Sequence, residues 1–226
     1  MPMNKIKNHF DNDFEDYDSL IKKVIPYYDY FLTQTAEIAR LYAGEAPKII
    51  DLGCGTGALS QKVLEIIPNA QITCLDISQN MIEKAKIRLE NRADFVCADF
   101  NECDFEENYN GVISSFALHH LKTMDEKKRI YKNIYKCLKN GGIFVNADVF
   151  APCDNNQQIL FSEKWVEYMS KSLDAEEIEK KWLPSSDEND CPESLNTHLK
   201  LLEQCGFKYA EAPVKYFGHG IYMGVK

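Results

Sequence analysis

The stretch Pro47-Lys48-Ile49-Ile50-Asp51-Leu52-Gly53-Cys54-Gly55-Thr56-Gly57 constrains this chain more than any other. A short apolar run halted by three alternating glycines reads as a buried strand ending in a sharp turn, and helical spacing follows over 58–67. Glycines let the backbone turn at positive φ and come close to a neighbour or a ligand. The same rhythm then continues: a strand over 71–75, a helix over 79–91, strands over 94–97 and 111–116, a helix over about 125–139, and a strand over 142–149 after Asn140-Gly141-Gly142, which reads as the end of that helix. Five strands alternating with helices predict a doubly wound, mostly parallel sheet, with a ligand at the carboxyl ends of its strands.

The flanks have a different character. Residues 17–43 carry apolar positions at helical spacing interrupted by Pro26, and 155–185 is helical, charged and contains Trp165 and Trp182. A polar loop spans 184–192, a helix runs over 194–205 to Gly206, and strands over 207–214 and 220–225 form an antiparallel pair joined through Phe217-Gly218-His219-Gly220. These features predict one domain over 1–226: an N-terminal helical cap (1–44), a ligand-binding core (45–150), a lid insertion (151–190) and a C-terminal helix with its strand pair (191–226). Of the 226 residues, 26 are Lys or Arg and 35 are Asp or Glu, a net charge of −9 that disfavours nucleic acid as a partner. The amino terminus lacks the apolar segment of a signal peptide and no apolar run reaches about 18 residues, so a cytoplasmic location without membrane contact is expected. Eight cysteines without a CxxC pair read as free thiols, not as a metal site or a disulfide framework.

Charge discriminates among ligands of the glycine turn. Gly53, Gly55 and Ala58 satisfy a loose dinucleotide pattern, but a pyrophosphate over the helix start would meet the carboxylate of Asp51. A ligand with an ammonium and a sulfonium would be attracted by it. Asp76, 25 residues on at the end of the second strand, suits two ribose hydroxyls. Asp99, ending the third, suits an adenine amine, with Phe100 and Met81 as apolar surface for the ring. Each acid alone could cap a helix or serve a turn; three at successive strand ends form a set.

This set resembles the class I S-adenosylmethionine-dependent methyltransferases over about residues 45–150. The resemblance implies a Rossmann-like, mostly parallel seven-stranded sheet with an antiparallel C-terminal strand plus a helical lid. It implies S-adenosyl-L-methionine as cofactor and S-adenosyl-L-homocysteine as product, with Gly53, Cys54 and Gly55 at the methionine part, Asp76 and Ile77 at the ribose, and Asp99 and Phe100 at the adenine. Val112 to Leu121 would border the methyl group and the acceptor. That segment lacks the NPPY-type turn of nucleobase amino methyltransferases, and Pro152-Cys153 follows the fifth strand, so it reads as structural. His119 and His120 are the candidates for a general base, or they fix the loop beneath the lid. Metal ligation is not expected, because adjacent histidines do not easily face one ion and no third ligand is evident. Tyr17, Tyr27, Tyr28, Phe116, His119, His120 and Trp165 are the candidates for the acceptor chamber.

A narrower resemblance links IPYYDYF, THLKLLEQCGF and FGHGIYMGVK to the carboxy-S-adenosylmethionine synthase branch, which serves wobble-uridine modification of tRNA. It matches Tyr28 and Ser115 to cofactor-site residues. The sequence departs where that branch holds the extra carboxylate with an arginine, which falls at Leu201 here, and its loop is GCGTG instead of GCSLG. Plain S-adenosylmethionine is therefore expected, and methyl transfer by in-line displacement to a small or medium-sized acceptor, in a monomer or homodimer. The alternatives are a carboxy-S-adenosylmethionine synthase-like or tRNA-modification-related enzyme, a nicotinamide-dependent oxidoreductase, against which Asp51 argues, and a non-catalytic cofactor-binding protein.

Overall fold

The computed structural model describes residues 17–90, 92–103, 105, 108–183 and 190–226. Strand β1 (Lys48–Leu52) is buried from its second residue onward and pairs in parallel with β2 (Gln71–Asp76) and β4 (Tyr109–Ser115). β3 (Ala93–Cys97) extends the sheet beyond β2 and β5 (Leu138–Val149) beyond β4, both parallel. β7 (His219–Val225) lies antiparallel between β5 and β6 (Tyr209–Tyr216), giving the order β3-β2-β1-β4-β5-β7-β6. The chain winds outward in both directions from β1 and β4. The crevice of a doubly wound sheet opens between those two strands.

The connections follow local chemistry. After β1, Gly57 at φ 80° leads into α3 (Ala58–Ile66). Ser78 caps α4 (Gln79–Leu89) by accepting from the Met81 N–H at 3.2 Å, and Thr123 with Glu126 forms a reciprocal capping box on α5 (Met124–Cys137). Ser194 caps α8 (Leu195–Cys205), which ends at Gly206 in the left-handed conformation. One boundary differs from expectation: α5 stops at Cys137, and Asn140-Gly141-Gly142 lies inside β5. There the strand bulges, since Tyr109 faces Leu138 while Gly111 faces Ile143, and Gly141 supplies the positive φ. Between β3 and β4 the described residues form turns.

Two layers cover the sheet. On one face α2 (Tyr28–Ala43) and α3 bury Ala36, Ala39 and Val63 against Ile49 and Ile72. On the other, α5 and α8 bury Ile130, Tyr131, Ile134 and Leu202 against Phe144 and Tyr222. A polar line crosses that second layer: the Asn146 amide donates to the Tyr222 hydroxyl (2.8 Å), which bonds the Tyr131 hydroxyl (2.6 Å), which bonds His198 Nδ1 (2.6 Å). Burial pushes His198 down to about 4, so its neutral ring can accept from Tyr131.

The two flanking segments pack on each other. Trp165 in α6 (Asn155–Met169) donates to the Val24 carbonyl at the end of α1 (Tyr17–Val24), and the Tyr168 hydroxyl donates to the Lys22 carbonyl. Met169 and Ile178 bury Val24 between them, with the short α7 (Ala175–Glu177) leading to Ile178. α1 is in turn fastened to the glycine turn: the Thr56 hydroxyl donates to Asp18 at 2.8 Å, and Arg88 pairs with Asp18 and donates to the Thr56 carbonyl. The insertion rejoins the core through Ala151 N–H to Glu193 carbonyl (3.0 Å) and Cys191 N–H to His119 carbonyl (2.9 Å). Among the described residues no helix is long and apolar enough to cross a membrane.

Beneath the glycine turn lies Asp51, fully buried, accepting from the Ser60 hydroxyl at 2.6 Å while its second oxygen has no partner among the described residues. Burial pushes its carboxyl up to about 7, partly offset by Ser60 and reinforced by the nearby charge of Asp76. Gly53 and Gly55 both hold positive φ, at 70° and 52°, but their surroundings differ. A Cβ on Gly53 would stand 2.4 Å from the Ala117 Cβ, whereas one on Gly55 would meet nothing within 4 Å.

Two outcomes follow from this geometry. Gly55→Ala should cost about 1–3 kcal/mol, the strain of a left-handed non-glycine residue, and Gly53→Ala should cost clearly more because Ala117 must also move; urea unfolding of the two variants checks the order. Asp51 has a folded pKa of about 7 against an unfolded 3.8, so it binds more protons in the folded state between those values. Its stability contribution is fully present at low pH and is lost as pH rises from about 4 to about 7. The stability of the wild type relative to Asp51→Asn should therefore fall across that window and level off above it, in unfolding curves taken at stepped pH.

Candidate active site

At the carboxyl ends of β1, β2 and β4 a cavity of about 830 Å³, including its mouth, is walled by the elements the sequence singles out. Gly53, Cys54 and Gly55 come from the turn after β1, Asp76 and Ile77 from the end of β2, and Met81 from the first turn of α4. Asp99 and Phe100 follow β3, Ser115 and Phe116 end β4, and Tyr17 and Tyr28 close the cavity from the cap. Asp51 is the exception: its side chain points beneath the turn toward α3 and does not face the cavity. Thr56, Leu59 and Ala117 also line the cavity without being singled out in the sequence. Thr56 lies within the motif itself and Ala117 within the segment 112–121 expected beside the methyl group, whereas Leu59 carries no signal beyond its place in α3.

Asp76 is held in place by two backbone donors, Gly55 N–H on one oxygen (2.8 Å) and Ser78 N–H on the other (2.9 Å). A carboxylate oxygen accepts more than one bond, so both retain capacity for a ligand. Asp99 accepts from the Asn101 N–H at 2.8 Å, and partial burial raises its pKa. Burial also raises the hydroxyls of Tyr17 and Tyr28, and the Cys54 thiol is pushed up by its hydrogen bond to Cys74 and by burial. All three are neutral near pH 7. Phe116 holds φ 51° and packs its ring tilted against Tyr28, with centroids 5.7 Å apart, and edge-on to Phe31 at 6.2 Å. Among the described lining residues there are two carboxylates and no lysine or arginine, so the cavity favours a cation.

The histidine pair sits in the turn after β4. His120 lines the cavity, whereas His119 is in the wall behind it, with Nδ1 2.5 Å from the buried Asp148. Asp190, at the end of the insertion, approaches both rings, 3.5 Å from His119 Nε2 and 3.2 Å from His120 Nδ1. The 3₁₀ turn Leu118–His120 brings the two rings together, with centroids 4.0 Å apart, and Asp190 is a neighbour of both that the sequence does not indicate. Burial pulls His119 down, but Asp148 and Asp190 outweigh it and hold its pKa above the usual value. His120 is held below it by burial and by His119. Beyond Asp190 lies a second groove, lined by Phe150, Phe161, Trp165, Val166 and His219. Trp165 thus belongs to this groove and not to the first cavity. Tyr27 stands outside both, half exposed, with its ring edge-on to Tyr216 at 4.8 Å.

Residues 49–142 match the methyltransferase domain family. Among curated relatives, a carboxy-S-adenosyl-L-methionine synthase of Shewanella pealeana is 26% identical over 93% of this chain and 88% of its own length. Among solved structures, an O-methyltransferase family protein of Burkholderia thailandensis superposes with a TM-score of 0.70 at 14% identity, covering 96% of this chain and 61% of that one. Human N-acetylserotonin methyltransferase in complex with S-adenosylmethionine does so at 0.60 and 19% identity, over 86% of this chain and 51% of that one. The chain therefore spans about half to three-fifths of those two structures, which attest to its fold. The match at residues 49–142, the strand order and the fold agree on an enzyme with a methyltransferase domain, similar in fold to S-adenosylmethionine-dependent methyltransferases.

Proposed function

We propose that the protein transfers the methyl group of S-adenosylmethionine to a small or medium-sized acceptor held between the cofactor cavity and the groove under α6. The observation that carries this reading is the cavity lining, in which the acids ending β2 and β3 face a glycine turn with no basic side chain among the described residues. Asp76 would hold the ribose hydroxyls, Asp99 the adenine amine, and Phe100 with Met81 the faces of the ring. The turn from Gly53 to Gly55 would carry the methionine part, and Tyr28 and Ser115 would border the sulfonium. Bound there, the cofactor supplies an electrophilic methyl carbon. The residues of the chain align the acceptor with that carbon, exclude water and steer the proton the acceptor loses. His120, on the cavity wall, is the group placed to take that proton, and His119, fixed by Asp148, is the positioning group behind it. Asp51 acts from beneath the turn instead of touching the ligand. An acidic chain suits a small acceptor better than a nucleic acid, and eight unpaired cysteines suit the reducing cytoplasm.

The name of the curated relatives favours a second reading, a carboxy-S-adenosylmethionine synthase. A carboxylate added to the cofactor would need a cation, and the described lining offers none. Leu201, where that branch carries its arginine, is buried on the opposite face of the sheet with Tyr131 and Leu202.

Titration calorimetry separates these readings. S-adenosylmethionine should bind at least about tenfold more tightly than its carboxylated form, the loss of roughly one charge-assisted hydrogen bond; equal affinity would return the synthase reading to first place. Asp76→Ala should weaken S-adenosylhomocysteine by about ten- to a hundredfold, equivalent to roughly 1.5–3 kcal/mol of charged hydrogen bonding. Unchanged affinity in a variant that unfolds as the wild type does would remove Asp76 from the ribose.

A further inference from the structure

Asp190 brings one carboxylate oxygen to both rings of the histidine pair. His119 Nδ1 lies 2.5 Å from the buried Asp148, and its Nε2 faces the Asp190 oxygen at 3.5 Å. His120 Nδ1 faces the same oxygen at 3.2 Å. Either protons on the nitrogens or one metal ion shared by all three atoms satisfies contacts of this range. The three ligand atoms lie within 4.8 Å of one another. A tetrahedral ion held at about 2.0–2.1 Å spaces its ligands roughly 3.3 Å apart, the spacing that two of the three pairs already have.

We infer that His119 Nε2, His120 Nδ1 and Asp190 Oδ1 form a binding site for one divalent first-row metal ion between the cofactor cavity and the lid groove. Two imidazoles and one carboxylate suit Zn²⁺, Co²⁺ or Fe²⁺ over Mg²⁺, whose ligands are oxygens. The site has the support that metal-ligating histidines carry: the Nδ1 of His119 is bonded to Asp148, whose other oxygen accepts from the Asn146 amide at 2.9 Å. Asp190 is positioned by its neighbour, since the Cys191 N–H donates to the His119 carbonyl and the Cys191 carbonyl accepts from buried Lys127 at 2.8 Å. Three protein ligands leave a coordination position open, the arrangement of a site that takes substrate. His120 opens on the cofactor cavity and Asp190 on the groove, so that position faces the space the acceptor would fill. Resting on the methyl-transfer reading, the ion would take the acceptor's heteroatom and lower the pKa of its proton, which would pass to water before methyl transfer in place of removal by His120.

The test is to titrate the metal-stripped full chain with Co²⁺, followed by visible absorption, and with Zn²⁺ by calorimetry, using Mg²⁺ as control. One Co²⁺ per chain is expected, with ligand-field bands but no thiolate charge-transfer band. Asp190→Asn and His120→Gln should each weaken binding by at least about tenfold, and Asp148→Asn by about 10–100-fold. Asp190→Asn should keep the wild-type affinity for S-adenosylhomocysteine, and its far-ultraviolet dichroism reports folding should His120→Gln fail to fold. Absence of stoichiometric binding would leave protons as the particles in these contacts and overturn the proposal. A thiolate band, or variants that bind as the wild type does, would place the metal on cysteines and overturn it equally. A chain that binds Co²⁺ but not S-adenosylhomocysteine would keep the metal site and discard the methyl-transfer reading.

Discussion

The missing side chain at Gly53 is the constraint on which the rest of the site depends. The end of β1 and the segment after β4 meet at a distance that no Cβ could occupy, with Ala117 as the other half of the contact. That approach is held from the second side by β2, because the N–H groups of Gly53 and Cys54 both donate to the Leu75 carbonyl, at 2.8 and 3.0 Å. Asp76, the residue after Leu75, then receives the Gly55 N–H. Three strand ends are thus joined into one floor, β1 to β2 by backbone bonds and β1 to β4 by the close approach of Gly53 and Ala117, and Asp76 at the cavity is held by this floor.

The cap is tied to that floor by charge. Asp18 and Arg88 converge on Thr56, one residue past the glycine pair, so α1 is joined to the turn it covers. α6 hangs on α1 through Trp165 and Tyr168. Segments about 140 residues apart in sequence therefore form one unit over the cavity. A shift of the turn reaches α6 through this chain of contacts, of which the Asp18–Arg88 pair is the partly exposed and salt-sensitive link.

Much of this was legible, and what was not has identifiable reasons. Short apolar runs marked the parallel strands, and the clearest, β1 and β2, are closed by a glycine and an acid respectively. Asn140-Gly141-Gly142 has the composition of a helix stop and of a bulge alike, and only pairing with β4 decides between them. Asp51 was expected at the ligand from its charge, yet a strand places alternate residues on opposite faces and its side chain falls on the α3 side, with Ser60. The grouping of Asp190 with His119 and His120 rests on a backbone bond between residues 119 and 191, for which no local pattern exists. Trp165 and Tyr27 show a related limit: aromatic residues in a lid segment are visible, but the cavity each one faces depends on how the segment folds back.

The bond from the Ala151 N–H to the Glu193 carbonyl has a further consequence. The insertion leaves the core and returns to it at adjacent points, so everything between those points is topologically a side loop. Its length and sequence can drift without altering the register of β5 or the start of α8. The part of the chain that lines the second groove is in this sense an exchangeable cassette, one that can be rewritten while the glycine turn and its acids stay as they are.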